Sequence, residues 1–448
     1  MRSRRNGPDP VTAAPTSWQA LDAAPSLWRA TASPLPALSP LAGDAQADVV
    51  IIGAGYTGLS AAHHLAASGL APLVLEANEP GWGASGRNGG VITAKFRLSF
   101  PAIAAGHGRG MAKRMYDIAH EATDIVAELV DTHGIRDAGL TRAGQIKAAH
   151  NHETLAYAVK EAQWLRTEFG DTTMTVLDAG QVREETGSAG FVGGVLNAGS
   201  GGIHPLNYLR GLARGLTAQG IPVHSQTPAL SLKRERDGVL VETPRGTVRA
   251  KQAIIATNSY SDLTPATREY QRTLIPFRSA IIATEKLSPN LAASVMPTGR
   301  TYTETKRMMR WFRMVDDRIV FGGRGAFGKT DSAAAFAALH KAMIGIFPQV
   351  ADVPLAFSWS GLVAMTLDSV PHVGRVDDRV MVAMGYNGAG VAMSSLMGRY
   401  LAAFARGERP DVGLLDVGRM RPVPFYALRE PAVRLVAGWY QFLDAIGR

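Results

Sequence analysis

Apolar and polar residues follow distinct local patterns along the chain, and the first clear pattern predicts a strand–helix–strand unit. The run DVVII at 48–52 is short and β-branched, as expected of a buried parallel strand. Small and apolar residues then recur at helical spacing across 57–68, and Gly69 ends that helix. The run LVLE at 73–76 predicts a second strand, so about 30 residues form a βαβ unit.

The rest of the chain predicts further helices and strands. Apolar stripes at helical spacing predict helices at 107–133, 152–169, 331–347 and after residue 203, with a last helix after Pro422. Alternation with one polar face predicts sheet strands at 274–284 and 301–324, a hairpin turn at 244–246 and a buried strand in QAIIATN. The segment RVMVAMGYNGAGVAMSSLMGRYLAAFARG predicts a strand, a Gly-rich turn and a helix.

Composition narrows the classes of function. The chain has 448 residues, enough for two domains, and no cysteine, which excludes disulfides, thiolate metal ligands, a cysteine nucleophile and a flavin tethered through sulfur. The net charge is +9, but Lys and Arg are scattered beyond the N-terminal tail, so no nucleic-acid surface is expected. No apolar run can span a bilayer or form a signal peptide, so we expect a cytoplasmic protein.

The turn after the first strand, GAGYTG at 53–58, has the pattern of a dinucleotide-binding unit. Gly53 permits a tight turn, Gly55 lets a pyrophosphate approach the backbone, and Gly58 lets helix and strand pack closely. The helix N-terminus at Tyr56 and Thr57 offers unpaired N–H groups to phosphate. Glu76 can accept hydrogen bonds from a ribose diol and would repel a 2′-phosphate, so NADP is disfavoured and FAD or NAD remains.

The stretch GWGASGRNGG at 81–90 follows at the carboxyl edge of the predicted sheet, where ligands bind in open α/β folds. A nicotinamide enzyme would normally continue with another crossover helix. We therefore infer a loop that wraps the middle of FAD, with Ser85 and Asn88 facing phosphates or ribityl hydroxyls. Arg87 could pair with the diphosphate or with another side chain. A mobile surface loop is the alternative interpretation.

Three separated motifs carry a resemblance to a known family: DVVIIGAGYTGLSAAHHL with LEANEPGWGASGRNGG, then GGVLNAGSGGIHPLNYLRGLA, and MGYNGAGVAMSSLMG. With SLWRATASPLPAL upstream, they resemble the D-amino acid oxidase/glycine oxidase superfamily of FAD-dependent enzymes, most closely its γ-glutamylputrescine oxidase-like branch. The resemblance implies an α/β fold in which a Rossmann-like FAD-binding domain is interleaved with a substrate domain built on a large mixed or antiparallel sheet with helices.

The resemblance also implies discontinuous domains. The FAD-binding domain would comprise residues 45–98, 200–262 and 357–410, and the substrate-binding domain residues 99–199 and 263–356. The Pro-, Ala- and Ser-rich composition of residues 1–44 indicates an extended tail over the surface, which Trp18 and Trp28 could anchor. Residues 411–448 would form a helical extension.

Non-covalent FAD is expected because cysteine is absent and the loop at 81–90 lacks histidine. In similar enzymes the helix after the second Gly-rich turn meets the pyrimidine side of the flavin, where its N-terminus would stabilise negative charge. The predicted cofactor-binding residues are Gly53, Gly55, Tyr56, Thr57, Gly58, Glu76, Ala77, Gly83, Ala84, Ser85, Arg87, Asn88, Gly89, Gly90, Leu230, Gly388, Gly390 and Val391. No metal site is predicted.

On the substrate side, the resemblance implies oxidation of a C–N bond in an amine or amino acid by hydride transfer to flavin N5, with hydrolysis of the imine and O2 as electron acceptor. The predicted catalytic residues are Arg313, Tyr386, Trp311 and Trp359. Arg313 could hold a substrate carboxylate bidentately or lie on the wet face of its strand. Lys306, Arg310 and Arg324 are candidates for a cation that favours reaction with O2.

Several alternatives stay open on the sequence alone. Oxidase and dehydrogenase activity are not distinguished, nor is the substrate among γ-glutamylated diamines, cyclic imino acids, N-methyl amino acids and simple amines. A flavoprotein acting on modified RNA would make use of the basic charge. An NAD-dependent dehydrogenase is disfavoured because the second crossover is missing after Glu76.

Overall fold

A computed structural model describes residues 21–326 and 332–445 of the chain. The helices begin and end where glycines and polar caps interrupt the apolar pattern; for example, Asn151 caps the N-terminus of one helix and Gly170 ends it in a left-handed conformation. They are α1 (Leu27–Thr31), α2 (Tyr56–Ala67), α3 (Phe100–His107), α4 (Arg109–Thr132), α5 (His152–Phe169), α6 (Ala179–Thr186), α7 (Pro205–Ala218), α8 (Pro289–Ser294), α9 (Ala333–Ile346), α10 (Gly390–Ala405) and α11 (Arg429–Ala445).

The strands include those predicted at 48–52, 73–76 and 274–284, and also strands between residues 145 and 197 that the sequence pattern does not predict. The strands are β1 (Ala45–Ile52), β2 (Pro72–Leu75), β3 (Val91–Ile92), β4 (Gln145–Ala149), β5 (Met174–Asp178), β6 (Gly193–Asn197), β7 (Gly201–Gly202), β8 (Val223–His224), β9 (Ser231–Glu235), β10 (Gly238–Thr243), β11 (Gly246–Ile255), β12 (Ile275–Thr284), β13 (Thr301–Glu304), β14 (Arg310–Val315), β15 (Arg318–Ala326), β16 (Leu355–Met365), β17 (His372–Arg375) and β18 (Val380–Met384). The predicted stretch 301–324 is thus divided into three strands.

The first sheet has the order β17-β18-β11-β1-β2-β8, with the hairpin β9–β10 attached to β11. Its central strands are parallel, with Val50 opposite Ala253 on one side and Leu73 on the other. Both faces of β1 are covered, because Ile51 packs in the core that contains α2 and α10 while Ile52 packs in a second core on the opposite side. Parallel strands buried on both faces explain the short β-branched runs in the sequence.

The second sheet has the order β16-β12-β15-β14-β13-β4-β6-β5. Its neighbours are antiparallel except for β13 and β4, which run parallel with Thr303 opposite Lys147. Phe312, Phe321 and Tyr302 stack on one face of this sheet, under α9. The opposite face is turned toward the first sheet. The mixed α/β architecture with a large mixed sheet is confirmed.

Two segments bear on the predicted organisation. Most of strand β16 lies within the range predicted for the FAD-binding domain, yet β16 pairs with β12 of the second sheet from Ile275 to Thr284. Near the start of the described residues, Trp28 of α1 is fully buried, which agrees with its predicted role as an anchor of the tail, whereas Trp18 lies outside the described residues. Across the described residues, no helix is both long and apolar enough to cross a membrane.

Candidate active site

A cavity of about 650 Å³ lies between the two sheets. One end is formed by the turn after β1, the segment after β2 and the turn before α10. The other end is formed by the inner face of the second sheet, including Gln145, Lys147 and Trp311. The cavity therefore joins the predicted cofactor cradle to the predicted substrate face in one continuous space.

The first glycine-rich turn has the geometry that a diphosphate requires. Gly53 adopts a φ of +108°, which favours glycine. Helix α2 begins after Gly55, which caps it without a side-chain hydrogen bond, so this N-terminus keeps backbone N–H groups at the cavity. A Cβ on Gly58 would lie 1.9 Å from the carbonyl oxygen of Gly53, which explains why only glycine lets α2 pack here.

Glu76 lies at the end of β2 and lines the cavity. Its carboxylate accepts hydrogen bonds from the backbone N–H groups of Ala54 and Asn78, both at 2.9 Å. Burial raises the pKa of Glu76, and these two N–H bonds oppose the rise. Since a carboxylate offers about four acceptor positions, Glu76 retains capacity for a diol in the cavity.

The loop at 81–90 is braced internally. The amide of Asn88 donates to the carbonyls of Ala84 and Ser85 and accepts from the N–H of Gly90. Ser85 Oγ accepts from the N–H of Tyr56 at 3.2 Å. These side chains line the cavity, but their hydrogen bonds shape the loop, so direct contact of Ser85 and Asn88 with a cofactor stays a prediction.

Arg87 is held beside the same loop. Its Nε donates to the carbonyl oxygen of Trp82 at 2.6 Å, and its guanidinium lies over the Trp82 ring at 4.8 Å. Arg87 lines the cavity and contacts the side chain of Trp82, and its pairing with a diphosphate stays a prediction.

The second glycine-rich turn brings another helix N-terminus to the cavity. Asn387 adopts a φ of +52° and its side chain donates to the carbonyl of Gly385, which fixes the turn. Helix α10 starts at Gly390 without a side-chain cap, and Gly390 and Val391 line the cavity. A Cβ on Gly388 would meet nothing within 4 Å, so the backbone here borders open space.

These features fit FAD. Two helix N-termini whose N-cap residues make no side-chain hydrogen bond favour the negative charge of a diphosphate and of a reduced flavin. Glu76 suits a ribose diol, and the cavity extends from these groups to the second sheet. Of the predicted cofactor-binding residues, those that line the cavity are Gly53, Gly55, Tyr56, Thr57, Glu76, Ala77, Gly83, Ala84, Ser85, Arg87, Asn88, Gly89, Gly388, Gly390 and Val391.

Three predicted cofactor residues lie behind the cavity wall. Gly58 packs on Gly53 as described, and a Cβ on Gly90 would lie 2.1 Å from the carbonyl oxygen of Ile203, so both glycines act through close backbone packing. Leu230 donates its N–H to Glu242, while its neighbour Ala229 lines the cavity. The positions of these three residues therefore favour a packing role over direct contact with a cofactor.

The predicted catalytic residues occupy different places. Trp311 lines the cavity and lies against Gly89, where a Cβ would be 2.5 Å from its ring. Tyr386 also lines the cavity, and its hydroxyl hydrogen-bonds with Thr57 Oγ1 at 2.5 Å; burial raises its pKa. Trp359 is fully buried outside the cavity lining and donates its indole N–H to the carbonyl of Arg87 at 2.9 Å.

Arg313 is buried beneath the cofactor loop. Its Nη1 donates to the carbonyl oxygens of Gly90 at 2.8 Å and Ile203 at 3.1 Å. Burial lowers the pKa of Arg313 to about 10. The guanidinium joins β14 to the loop at 81–90 and to the residue after β7, and this geometry favours a bracing role over the predicted contact with a substrate carboxylate.

The cations proposed for reaction with O2 lie elsewhere. Arg310 pairs with the buried carboxylate of Glu304 at 3.1 Å, and together with Lys306 it lines a separate pocket under α9. The side chain of Arg324 lies outside the described residues. Cations that do line the main cavity include Lys95, Arg97 and Lys147.

Sequence reasoning missed several cavity residues. Thr257 and Asn258 follow β11, and the rule that ligands meet the carboxyl ends of parallel strands could have found them. Gln145 and Lys147 alternate on β4 and line the cavity, but only the pairing of β4 with β13 brings them there. Lys147 forms an ion pair with Glu161 at 3.2 Å.

Comparison with known proteins agrees with this geometry. The family model of DAO, FAD-dependent oxidoreductases, matches residues 48–404. A probable oxidoreductase OrdL of Haemophilus influenzae is 31% identical over 410 residues, covering 90% of this chain and 94% of that protein. The gamma-glutamylputrescine oxidoreductase of Escherichia coli K12 is 30% identical over 404 residues, covering 89% and 93%.

Solved structures share the fold. Glycine oxidase from Geobacillus kaustophilus superposes with a TM-score of 0.70 at 20% identity, covering 85% of this chain and 99% of that chain. L-amino acid deaminase from Proteus myxofaciens gives 0.71 at 15% identity, covering 87% and 97%. With the family match across most of the chain and the cradle described above, the chain belongs to the DAO family of FAD-dependent oxidoreductases.

Proposed function

We propose that this protein oxidises the C–N bond of a small amine or amino acid to an imine, which water then hydrolyses, and that O2 is the final electron acceptor and is reduced to H2O2. The observation that carries the proposal is the cavity between the two sheets, in which a cofactor cradle faces a largely apolar wall with a few polar groups. The name of the relative from Escherichia coli supports an amine substrate.

Bound FAD supplies the two-electron acceptor that takes the hydride from the substrate carbon. The chain supplies electrostatic support through α10, whose uncapped N-terminus at Gly390 and Val391 borders the cavity. A helix N-terminus stabilises a partly buried negative charge by up to about 2 kcal/mol. This support needs no lysine.

The inner face of the second sheet orients the substrate. Phe277, Ile281 and Trp311 give this wall its apolar character, and an apolar wall disfavours an ammonium ion relative to the neutral amine that can be oxidised. The neutral amine is therefore the form that we expect to react.

Polar groups on β4 complete the substrate wall. Within the described parts of the chain, the buried Gln145 Nε2 has no hydrogen-bond partner, although the residue lines the cavity. An unpaired buried donor costs free energy, so an acceptor on the substrate would stabilise it. Lys147, which pairs with Glu161, lies two residues further along the same face of β4. Gln145 and this ion pair would together bind the polar part of the substrate away from the reacting carbon.

The discontinuous domain arrangement remains part of this proposal. The parallel strands β1, β2, β11 and β18 support an FAD-binding domain drawn from residues 45–98, 200–262 and 357–410. The pairing of β16 with β12 supports moving the last boundary beyond Met365. Residues 99–199 and 263–356 would then supply most of the substrate wall.

The test is an anaerobic spectrum of the purified holoprotein, to which amines and amino acids are added one at a time. Bleaching of the flavin band by one compound would support C–N oxidation, and rapid recovery of the band with H2O2 in air would support O2 as acceptor. Slow recovery in air would instead favour a dehydrogenase. A Gln145→Ala variant should raise KM for that compound; a flavin band that no amine bleaches would refute the proposed chemistry.

A further inference from the structure

The segment that precedes the first sheet is bound along the cofactor loop. The N–H of Leu21 donates to Asn78 Oδ1 at 2.7 Å, and the indole of Trp82 donates to the carbonyl of Asp22 at 2.8 Å. Arg29 forms an ion pair with Glu79. These contacts fall on residues 78–82, which follow β2 and include the start of the loop at 81–90, so the N-terminal segment lies along this region.

The far end of the segment is fixed to α7. The N–H of Ser33 donates to Asn207 Oδ1 at 2.8 Å, and Arg210 donates to the carbonyl of Ser33 at 2.6 Å. His204 Nδ1 accepts from the N–H of Asn207 and its Nε2 lies 3.0 Å from Thr31 Oγ1, so the neutral ring donates to the threonine. The segment is thus attached at both ends of α1.

Between these attachments, two indoles hold successive carbonyls of the loop. Trp28 is fully buried and donates its N–H to the carbonyl of Asn88 at 2.8 Å, and Trp359 donates to the carbonyl of Arg87 at 2.9 Å. The two rings contact each other edge to face, with centroids 6.1 Å apart. The peptide groups 87–88 and 88–89 are therefore held in place by the two indoles on the side away from the cavity.

Fixing these carbonyls also fixes the following N–H groups. In a trans peptide the N–H points opposite the preceding carbonyl, so the N–H groups of Asn88 and Gly89 are directed away from the tryptophans. Both residues line the cavity, and no acceptor for either N–H occurs among the described residues. Backbone N–H groups require a partner when they are covered, so a polar atom of the cofactor would fill this need.

We propose that the N-terminal segment Leu21–Ser33 is part of the FAD site, and that Trp28 and Trp359 are positioning residues that present the N–H groups of Asn88 and Gly89 to the cofactor. Neither indole is among the residues that line the cavity. Both therefore act through the backbone of the loop, and their loss weakens FAD binding without removing any side chain that borders the cofactor space.

The experiment measures the FAD dissociation constant by flavin fluorescence after the cofactor has been removed, together with the melting temperature of the protein without FAD. Trp28→Phe and Trp359→Phe are compared with Trp439→Phe, a matched control on the exposed face of α11. Because one hydrogen bond is lost in each, the first two variants should bind FAD roughly three- to tenfold more weakly, and the control should stay within about twofold.

A sharper variant separates the hydrogen bond from the packing. Incorporating 3-benzothienylalanine at position 28 replaces the indole N–H with sulfur at nearly unchanged volume. It should weaken FAD binding like Trp28→Phe and lower the melting temperature of the FAD-free protein only slightly, because the packing is kept while the carbonyl of Asn88 loses its donor. It remains informative if Trp28→Phe fails to fold. An unchanged dissociation constant with this residue would overturn the proposal and leave Trp28 a core side chain only. FAD affinity is measured without substrate, so this result is independent of the proposed oxidation.

Discussion

Gly58→Ala tests whether the third glycine of the first turn serves packing and not cofactor contact. The added Cβ would lie 1.9 Å from the carbonyl oxygen of Gly53 and 3.2 Å from Ile51 Cγ2, whereas real Cβ atoms essentially never approach closer than 3.0 Å. The first contact is backbone, so no flexible side chain can give way. Helix α2 would have to move by more than 1 Å against β1.

The expected cost follows from two opposing effects. Overpacking of a core typically destabilises by about 1–3 kcal/mol, and a backbone clash belongs at the upper end. The helical preference of alanine over glycine returns about 1 kcal/mol. We therefore expect a net loss of about 2 kcal/mol in the free energy of unfolding.

The assay is urea denaturation of the FAD-free protein, so that cofactor binding does not enter. Gly110→Ala is the matched control, because it is also a helical glycine and a Cβ there would meet nothing within 4 Å. The control should change stability by less than about 0.5 kcal/mol or increase it. Equal unfolding midpoints for the two variants would refute the packing argument for Gly58.

Four further outcomes are expected. Gly55→Ala should leave the FAD-free protein stable, since the added Cβ would meet only Ser85 Oγ at 3.1 Å. It should weaken FAD binding in a fluorescence titration, and retained affinity would contradict the role of this turn in binding the cofactor. Glu76→Gln should weaken FAD binding about tenfold or more, because a charged acceptor is lost, and an unchanged dissociation constant would exclude a role for its carboxylate. Arg313→Lys should lower the melting temperature and affect amines with and without a carboxylate alike; a rise in KM confined to carboxylate substrates would restore the sequence prediction. Burial lowers the pKa of His133 from 6.5 to about 4, so as the pH drops the unfolded chain takes up this proton before the folded chain does. The free energy of unfolding should therefore fall as the pH drops from 6.5 toward 4. Urea titrations at both ends of that range should show a smaller fall for His133→Gln.

The cofactor end of the site could be predicted because its determinants are local. The turn at 53–58, the acidic residue after β2 and the turn before α10 each depend on a few neighbouring residues, and glycine spacing there reflects backbone conformations that other residues rarely adopt. The family resemblance then supplied the mixed sheet. The division of 301–324 into three strands and the place of β16 differ from the prediction, and β4, β5 and β6 were not predicted from the local pattern.

The substrate end could not be predicted in the same way. Gln145 and Thr301 are far apart in sequence, yet they are direct neighbours in the parallel pair β4–β13. Trp311 and Arg313 alternate on the same strand face, but one borders the cavity and the other is taken up by backbone carbonyls. The local sequence pattern predicts on which face of a strand a side chain lies, but it does not predict which groups that side chain contacts.

The sequence by itself determined the βαβ unit, the positions of both glycine-rich turns and the absence of cysteine chemistry, since each depends on residue type and short-range spacing. The tertiary structure alone decided that Trp28, in a Pro- and Ala-rich tail, is fully buried behind the loop at 81–90 and holds its backbone. This contact joins Trp28 to Asn88, 60 positions apart in the sequence. It is stabilised by the burial of the apolar indole together with the hydrogen bond from its N–H to the carbonyl of Asn88. No local pattern encodes that pairing.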